Sequence, residues 1–310
     1  MGGIFMKVLI TGGAGFIGSH IADLLIENNF EVVAIDNLIH GKKDNINSRA
    51  RFYEVDIRDK SIADIFLNEK PDIIIHNAAQ ISVPNSIEDP FEDSSINITG
   101  SINVLEAARL SGVKKIIYPA SAAIFGEPQY LPVDENHPLN MISPYGITKH
   151  TVEHYLYTYK QLYNIDYTVL RYSNVYGPRQ DSTGEGGVVS IFCERLLKGE
   201  NVNIYGDGEQ IRDFVYVKDV AEANLIAIKS SNNGIYNVCT NTKTTVNSLF
   251  YCINDILNKN ITPIYKDPRD GDIRYSYMTY EKIKRELNWK PKYSLMDGIK
   301  ETLNYYDTFQ

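Results

Sequence analysis

The sequence predicts an α/β protein: a doubly wound parallel sheet with a smaller C-terminal α/β lobe. Strand and helix signals alternate through the first half of the chain, and a glycine-rich turn follows the first strand. A chain of 310 residues with 43% apolar and 23% charged side chains can bury the core of such a sheet. We therefore expect parallel strands joined by crossover helices.

The first strand is followed directly by three glycines. Val8 to Thr11 are apolar or β-branched, and the glycines come at every third position after them. The first permits a positive φ, the second lets a pyrophosphate approach the backbone, and the third lets a helix, expected after Gly18, press on the strand. The amide groups there are expected to face a dinucleotide phosphate. The predicted cofactor contacts of this turn are Gly12, Gly15, Phe16, Ile17 and Gly18.

The second strand, Glu31 to Ile35, ends on an acid. Asp36 follows the glycine turn at roughly the ~20-residue spacing of a carboxylate that binds the adenosine ribose. A carboxylate repels a 2′-phosphate, so the cofactor is predicted to be NAD rather than NADP. The alternative is an ordinary turn acid at a strand end. Asn37 beside it belongs to the same predicted cofactor site.

The third and fourth strands, expected at 51–55 and 72–78, flank a polar helix at 59–69. Residues that follow the third strand are expected to meet the adenine, and small residues at the tip of the fourth let the cofactor lie against the backbone. These predicted contacts are Asp56, Ile57, Ala78 and Ala79. His76 is interpreted as a packed core histidine, with a catalytic base as the alternative.

Two long helices and two strands complete the predicted sheet. A helix after Pro90 should end at Gly112, because apolar residues recur at helical spacing before that glycine. Strands are expected over 114–118 and 167–172, and a second long helix over 144–163.

After Asn174 the predicted elements become shorter. Helices are expected near 188–198, 218–229, 245–258, 279–287 and 294–306, and strands at 202–205 and 235–239. We place a NAD-binding domain at 1–174 with a return segment near 212–240, and a second lobe at 175–310.

Composition excludes several classes of protein. The formal net charge of −8 argues against a nucleic-acid binder, which needs clustered Lys and Arg. We expect no membrane span and no cleavable signal, and hence a cytoplasmic location. Cys193, Cys239 and Cys252 lack metal-ligand spacing, so neither a metal site nor a disulfide framework is expected.

Three residues point to proton transfer. Tyr145 and Lys149 are four positions apart, so they lie on one face of the predicted helix. An ammonium one turn away, together with the positively charged nicotinamide, favours the phenolate and lowers the pKa of a tyrosine, which is ordinarily near ~10. Ser121, at the end of the fifth strand, is expected beside the phenol, where its hydroxyl can bond a substrate oxygen. A surface pair and a turn serine are the alternatives.

With these residues the chain resembles the extended short-chain dehydrogenase/reductases, a group with the Rossmann fold. Within that group it is similar to nucleotide-sugar 4-epimerases of the UDP-glucose 4-epimerase type. The resemblance covers nearly the whole length and lies in the segments Thr11 to Gly18, His76 to Val83, Arg171 to Gln180, Ile204 to Phe214, and Arg269 to Asp272.

The resemblance implies a redox cycle on a UDP-sugar with no net oxidation. Tyr145 takes the proton of the sugar 4-hydroxyl while hydride passes to NAD. The 4-keto sugar then turns its other face, and the hydride returns with inverted configuration. Lys149 can also donate to the nicotinamide ribose, and Asn97 orients residues at the cofactor.

The resemblance also implies the substrate contacts. Arg212 and Arg269 hold the pyrophosphate, Asn174 contacts a phosphate or sugar oxygen, and the 203–205 strand meets the uracil. Small or polar side chains would accommodate an N-acetyl group. The implied substrate contacts are Ser82, Ser121, Tyr145, Asn174, Gln180, Asn203, Tyr205, Arg212, Arg269 and Ser276.

Particular positions narrow the activity. Related 4,6-dehydratases need an acid and a base where this chain has Ala122 and Ala123. Ser276 replaces a large tyrosine of hexose-restricted epimerases, which predicts that UDP-GlcNAc and UDP-GalNAc are accepted beside UDP-glucose and UDP-galactose. Ser173 lies where many members of this group have an aromatic residue beside the nicotinamide, so the packing against the nicotinamide is expected to differ here.

Other interpretations remain at this stage. They are a nucleotide-sugar reductase or dehydrogenase, an epimerase of UDP-uronic acids, and a non-enzymatic relative that keeps the fold. Leftover apolar surface on the helices near 94–111 and 144–163 predicts a homodimer, since relatives pair these helices in a four-helix bundle.

Overall fold

The protein is described here from a computed structural model, which covers residues 6–183, 187–269 and 273–308. Part of the glycine-rich loop, at 184–186, and three residues of the last resembling segment, at 270–272, lie outside the described residues. The chain forms two compact units. The first comprises residues up to 126, 139–171 and 221–236, and the second comprises 127–138, 172–220 and residues from 237 onward.

The described residues form strands and helices in the following order along the chain. The strands are β1 Lys7–Thr11, β2 Glu31–Asp36, β3 Arg51–Glu54, β4 Ile73–His76, β5 Lys115–Ser121, β6 Asp166–Tyr172, β7 Asn174–Tyr176, β8 Asn203–Tyr205, β9 Ile211–Arg212, β10 Phe214–Tyr216, β11 Gly234–Val238, β12 Thr244–Thr245 and β13 Ile264–Lys266. The α-helices are α1 Phe16–Glu27, α2 Ile62–Glu69, α3 Val83–Glu88, α4 Pro90–Ser94, α5 Ser101–Ser111, α6 Pro144–Tyr163, α7 Val188–Leu197, α8 Val217–Lys229, α9 Val246–Ile256, α10 Glu281–Leu287 and α11 Leu295–Thr308. A π-helical segment spans Ser95–Gly100, and short 3₁₀ turns span Lys43–Asn45 and Ala122–Ile124.

Seven strands form the main sheet, in the order β3-β2-β1-β4-β5-β6-β11. Strand β1 pairs in parallel with β2 and β4, and the pairs β2–β3 and β4–β5 are also parallel. The strand order reverses between β1 and β4, and ligands bind beyond the carboxyl ends of the strands at such a point. The predicted doubly wound α/β fold class is confirmed.

The core of the first unit lies where apolar strand residues meet the covering helices. Leu9, Ile74 and Ile116 on three adjacent strands are completely buried, as are Phe66 on α2 and Leu105 on α5. Strands buried on both faces explain the nearly continuous apolar runs in the sequence.

Helix α6 has the predicted bounds because its ends carry strong local signals. The Ser143 hydroxyl accepts a hydrogen bond from the amide of Gly146 at 3.2 Å, and Pro144 occupies the first turn. Asn164 ends the helix in the left-handed region, at φ 57°.

Two predicted helices differ from the structure. Helix α1 begins at Phe16 rather than after Gly18, so the third glycine lies inside the first turn of the helix. The single long helix expected after Pro90 is interrupted, because its hydrogen bonds change to the π pattern over Ser95–Gly100 before α5 begins. Gly112 ends α5 as predicted, at φ 78°.

The second unit contains three two-stranded pairs. They are β7 with β10 and β8 with β13, both parallel, and β9 with β12, which is antiparallel. None of the helices in the described ranges is both long and apolar enough to cross a membrane.

Candidate active site

The glycine turn after β1 has the form that a dinucleotide phosphate requires. Gly12 takes φ +70°, and a Cβ there would lie 2.8 Å from the amide nitrogen of Ala78, so this turn lies directly against the end of β4. A Cβ on Gly18 would lie 2.1 Å from the Gly12 carbonyl oxygen, which explains the third glycine. The predicted close approach is therefore to the turn itself rather than to the strand.

The N-terminus of α1 suits an anion. Gly15 caps it without a side-chain hydrogen bond, and its first turn contains no acidic residue. The amide groups at Phe16 and Ile17 belong to the first turn, whose N–H groups have no partner within the helix. A phosphate accepts from such amides and is stabilised by the helix dipole, so the turn fits the pyrophosphate of NAD.

Asp36 is buried at the end of β2, beside the glycine turn. Its Oδ2 accepts from the Ala14 amide at 3.0 Å, and its Oδ1 accepts from the Leu38 amide at 2.8 Å. A carboxylate has about four acceptor positions, so two remain for ribose hydroxyls. This arrangement fits the role predicted for Asp36.

Asp56 and Asn37 contact each other, with Asn37 Nδ2 donating to Asp56 Oδ2 at 2.9 Å. Arg58 donates to both oxygens of the same carboxylate, from Nε and Nη2, each at 2.9 Å. These hydrogen bonds lower the pKa of Asp56 to about 2. Arg58 is thereby held by Asp56 and Glu92, so its guanidinium is committed to carboxylates rather than to a ribose phosphate.

His76 is part of a buried chain of hydrogen bonds. Its Nδ1 lies 2.8 Å from Thr11 Oγ1, which also accepts from the Ala78 amide at 3.2 Å. Its Nε2 lies 2.8 Å from Ser101 Oγ, which donates to the Asn97 carbonyl. Burial lowers the pKa of His76 to about 3. The interpretation as a packed core histidine is confirmed, and the chain links the tips of β1 and β4 to the π segment.

Asn97 lies in the π segment and clamps the backbone after β4. Its Oδ1 accepts from the Gln80 amide at 2.8 Å, and its Nδ2 donates to the Gln80 carbonyl at 3.1 Å. Nδ2 also reaches Thr148 Oγ1 on α6 at 3.2 Å. The loop that contains Ala79, and with it one predicted wall of the cofactor site, is thus attached to α6.

Ser121 and Tyr145 come together as the spacing predicted. Ser121 is the last residue of β5, and its hydroxyl hydrogen-bonds the Tyr145 phenol, which lowers the pKa of that phenol. Burial is the larger effect and raises the Tyr145 pKa, and the charge of Asp93 raises it further. For this group desolvation therefore outweighs the hydrogen bond of Ser121. The lowering expected from Lys149 together with the positively charged nicotinamide concerns the enzyme with NAD bound and stays a prediction.

Lys149 is buried one turn after Tyr145. Its Nζ lies 4.4 Å from the centroid of the Tyr118 ring, a cation–π contact. Burial lowers the pKa of Lys149 to about 7, against raising contributions from the charges of Glu153 and Asp93. Burial thus disfavours the ammonium form of Lys149, while the two carboxylates favour it.

In the second unit, Tyr205 and Arg269 line an open groove of about 760 Å³. The Arg269 guanidinium carbon lies 3.9 Å from the centroid of the Tyr205 ring. Asn203 and Tyr205 belong to β8, whose register opposite β13 pairs Tyr205 with Lys266. An aromatic ring stacked on a cation can bind a planar base and an anionic group side by side.

Asn174 bonds the backbone of Asp213, the residue that follows Arg212 in the chain. The Arg212 Nη1 donates to the carbonyls of Ile211 and Ile273, at 2.8 and 2.7 Å. Asn174 donates to the Asp213 carbonyl from its amide at 3.0 Å and from Nδ2 at 3.2 Å. The Asn174 side chain is exposed, so its Oδ1 is accessible to a ligand.

The residues predicted to meet an acetamido group occupy different local settings. Ser82 caps α3, where its hydroxyl accepts from the Asn85 amide at 3.2 Å. Gln180 Nε2 donates to the Val175 carbonyl at 3.1 Å, whereas its buried Oε1 has no hydrogen-bond partner among the described residues. Ser276 is half-buried, and its amide donates to the Ile211 carbonyl at 3.1 Å.

Sequence reasoning missed two buried carboxylates that organise these residues. Asp93 accepts from the side chains of Gln80, Asn97 and Thr148. Asp213, the residue after Arg212, accepts from the Thr240 hydroxyl at 2.7 Å and from the amides of Thr240 and Asn241. These hydrogen bonds fix the position of the Asp213 side chain. Asp213 could have been predicted because it lies in the segment Ile204 to Phe214, which carries the resemblance to the family. Asp93 lies in none of the resembling segments, so nothing in the sequence indicated its role. Across the described ranges, no cluster of His, Cys, Asp and Glu is suited to hold a metal ion.

Comparison with known proteins agrees with this geometry. The model of the NAD dependent epimerase/dehydratase family matches residues 8–239. A putative UDP-glucose 4-epimerase of Methanocaldococcus jannaschii is 49% identical, over 96% of this chain and 97% of the relative. The structure of a UDP-glucose 4-epimerase from Thermotoga maritima with UDP-glucose is 48% identical with a TM-score of 0.96, covering 98% of this chain and 99% of the other.

A UDP-N-acetylglucosamine 4-epimerase from Methanobrevibacter ruminantium M1, in complex with UDP-N-acetylmuramic acid, is 36% identical with a TM-score of 0.94, covering 99% of both chains. The resemblance stated from the sequence and the prediction of NAD as cofactor are confirmed. The glycine turn, Asp36 and the Ser121–Tyr145–Lys149 set are the parts of the chain that fit this cofactor and its chemistry. The chain belongs to the NAD-dependent epimerase/dehydratase family.

Proposed function

We propose that this protein interconverts UDP-sugars that differ in configuration at C4. The observation that carries the proposal is the arrangement of Ser121, Tyr145 and Lys149, with a hydroxyl, a phenol and a buried amine on β5 and consecutive turns of α6. The similarity to UDP-sugar 4-epimerases along nearly the full chain supports it.

The proposed chemistry assigns one task to each residue. NAD, when bound, supplies a site that accepts a hydride and later returns it. Tyr145 removes the proton of the sugar 4-hydroxyl and gives it back to the 4-keto oxygen. Ser121 donates a hydrogen bond to that oxygen, and the Lys149 ammonium stabilises the phenolate of Tyr145. Ala122 and Ala123 offer no proton carrier for elimination, so the sugar keeps all its oxygens.

We propose that residues of the second unit bind the UDP portion. Arg212 and Arg269 neutralise the pyrophosphate, a task suited to guanidinium groups. Tyr205, on the strand that also contains Asn203, stacks with the uracil, and Asn174 bonds a phosphate or sugar oxygen. The division into a NAD-binding domain at 1–174, with a return segment near 212–240, and a UDP-sugar lobe at 175–310 belongs to this proposal.

We further propose that N-acetylhexosamines are substrates. Gln180 supports this, because its buried Oε1 lacks a donor among the described residues and an acetamido N–H supplies one. The small, half-buried Ser276 leaves volume for the acetyl group. The likeness to a UDP-N-acetylglucosamine 4-epimerase points the same way.

The first experiment is incubation of the purified protein with UDP-glucose and, separately, with UDP-GlcNAc, without added cofactor, followed by chromatographic separation of the 4-epimers. We expect both to be converted. Conversion of UDP-glucose alone would contradict the N-acetylhexosamine proposal. If neither is converted, and a second assay with added NAD or NADH shows that the cofactor is reduced or oxidised by the sugar nucleotide, the protein is a reductase or dehydrogenase and the epimerase proposal is wrong.

Replacement of Gln180 by Met tests the acetamido contact. The change removes the Oε1 acceptor, so kcat/KM for UDP-GlcNAc should fall about tenfold relative to UDP-glucose, the effect of one hydrogen bond of ~1.4 kcal/mol. Loss of the Nε2 bond to Val175 affects both substrates, and the ratio of the two values removes that contribution. An unchanged ratio would contradict the role of Gln180.

A further inference from the structure

A buried carboxylate lies next to the catalytic helix. Asp93, in α4, is only 1% exposed. Its Oδ1 accepts from Asn97 Nδ2 at 3.0 Å and from Gln80 Nε2 at 2.8 Å, and its Oδ2 accepts from Thr148 Oγ1 at 2.8 Å. One side chain therefore joins the loop after β4, the π segment and α6.

Every one of these partners is neutral. Across the described residues, no Lys, Arg or His nitrogen forms an ion pair with Asp93. Glu153, the other carboxylate near Lys149, differs because Arg171 donates to both of its oxygens, from Nε at 3.0 Å and from Nη2 at 2.7 Å. Glu153 therefore has an arginine partner of its own, whereas Asp93 has only neutral hydrogen-bond partners. The negative charges of both carboxylates raise the pKa of Lys149, that of Glu153 more than that of Asp93.

The groups that experience the charge of Asp93 are the reacting ones. It raises the pKa of Lys149 and of Tyr145, both on α6, and that of Tyr118 on β5. The remaining titratable groups around Lys149 are Glu153 and His76, and His76 is held uncharged by burial. An unpaired buried carboxylate is costly to a fold, so its presence beside this pair calls for a functional reason.

We infer that Asp93 is a positioning residue for the proposed epimerase reaction, which ties the Tyr145–Lys149 turn of α6 to the cofactor loop and supplies, together with Glu153, negative charge that favours the Lys149 ammonium. The inference rests on the proposed function for its kinetic consequence. The geometric part concerns Thr148, which lies between the two reacting residues and bonds both Asp93 and the Tyr145 carbonyl, the latter at 3.1 Å.

Asp93→Asn removes the charge and keeps the contacts. The Asn Oδ1 still accepts from Asn97 and Gln80, and its Nδ2 donates to Thr148 Oγ1, which can then donate to the Tyr145 carbonyl. Loss of a negative charge lowers the pKa of both Tyr145 and Lys149. Both limbs of the pH profile of kcat should therefore move to lower pH by about one unit, the size of a charge interaction across ~12 Å at an effective dielectric of ~20.

Thr148→Val is the matched control. It removes the bond to Asp93 and leaves the charge, so kcat should fall at every pH while the profile keeps its position. If the Asp93→Asn profile coincides with that of the wild type after scaling, the electrostatic role is refuted. If Thr148→Val leaves kcat unchanged, the tethering role is refuted.

A spectroscopic titration separates this inference from the proposed function. The near-ultraviolet phenolate absorbance of Tyr145 is obtained by subtracting the titration of the Tyr145→Phe variant, with and without Asp93→Asn. We expect the phenol to titrate at lower pH when Asp93 is neutral. This result is independent of any substrate, so an inactive wild type would overturn the epimerase proposal alone. An unmoved phenol titration would overturn the role of Asp93.

Discussion

At the scale of single residues, burial moves the pKa values of the reacting pair in opposite directions. Desolvation raises the pKa of Tyr145 and lowers that of Lys149 to about 7. Both shifts favour the uncharged forms, a phenol beside an amine. Charge separation to phenolate and ammonium is therefore the step that surrounding charges and Ser121 have to assist.

Tyr145→Phe should lower kcat by about 10²- to 10⁴-fold, the contribution of one positioned acid–base group. KM for the UDP-sugar should change little, since the phenyl ring keeps the shape of the side chain. Initial rates with UDP-glucose measure both parameters. Tyr155→Phe on the same helix is the control and should retain full activity. A Tyr145→Phe enzyme with near-normal kcat would show that another group is the base.

Residues differ in how far the sequence could predict them. Ser121, Tyr145 and Lys149 followed from strand ends and helical spacing, because both are local properties. Asp93 could not be predicted, because its partner Thr148 is brought to it by the packing of α4 on α6, and its partner Gln80 comes from the loop after β4. The rise that burial causes in the pKa of Tyr145 was not predicted, since burial is not visible in a local pattern.

At the scale of elements, the same distinction separates α6 from the helix before it. Ser143 and Asn164 mark the ends of α6 in the sequence, and the bounds were predicted correctly. The π segment over Ser95–Gly100 has no such signal. The Asn97 side chain in this segment is bonded to the Gln80 amide, a contact distant in sequence that a local pattern does not show. Irregular turns of this kind are frequent at functional sites.

A buried lysine, Lys115, donates hydrogen bonds to backbone carbonyls at the C-terminal end of α8. The Lys115 Nζ, at the start of β5, donates to the carbonyls of Ala227 at 2.8 Å and Ser230 at 2.7 Å, and more weakly to that of Asn232. Burial lowers the pKa of Lys115 to about 8, from 10.5. Between these two pH values the unfolded chain binds the extra proton, so this residue makes stability rise with pH.

Lys115→Met should therefore destabilise the protein more at pH 10 than at pH 7. At pH 10 we expect a loss of about 1–3 kcal/mol in the free energy of unfolding, from carbonyls left without a donor. At pH 7 the loss is smaller, because the buried ammonium of the wild type is itself unfavourable. Lys114→Met is the control: this exposed lysine pairs with Asp72 at the surface, and its loss should cost less than about 1 kcal/mol. Urea titrations at both pH values measure the free energy of unfolding of each variant. A loss of stability in Lys115→Met that is smaller at pH 10 than at pH 7 would contradict this prediction.

At the scale of the whole molecule, the fold class was predictable because seven strands and their crossover helices leave a repeated pattern of apolar runs. The NAD-binding chemistry was predictable because the glycine turn and Asp36 occur in that pattern at fixed spacing. The elements of the second unit were less predictable from the sequence, since its strand pairs are only two or three residues long. Their register depends on contacts such as those of Asp213, which follow no periodicity.

We propose that two copies of the chain associate through the helices near 94–111 and 144–163. Large apolar side chains remain exposed there: Ile147 by 50%, Tyr157 by 57% and Leu162 by 66% on α6, and Leu110 by 55% on α5. Exposed apolar surface concentrated on neighbouring helices is typical of an interface. Light scattering on the eluting wild-type protein should therefore give twice the chain mass of 35.1 kDa.

The double variant Ile147→Glu with Leu162→Glu should elute as a monomer, because each new carboxylate would have to lose its water inside the interface. Met296→Glu is the matched control, since Met296 is exposed by 51% on α11, outside the proposed surface, and should leave the mass unchanged. Circular dichroism establishes that the variants fold. A wild type that is monomeric at micromolar concentration, or a double variant that stays dimeric, would refute this interface. Retained epimerase activity in a monomeric variant would show in addition that each chain carries its own complete catalytic machinery.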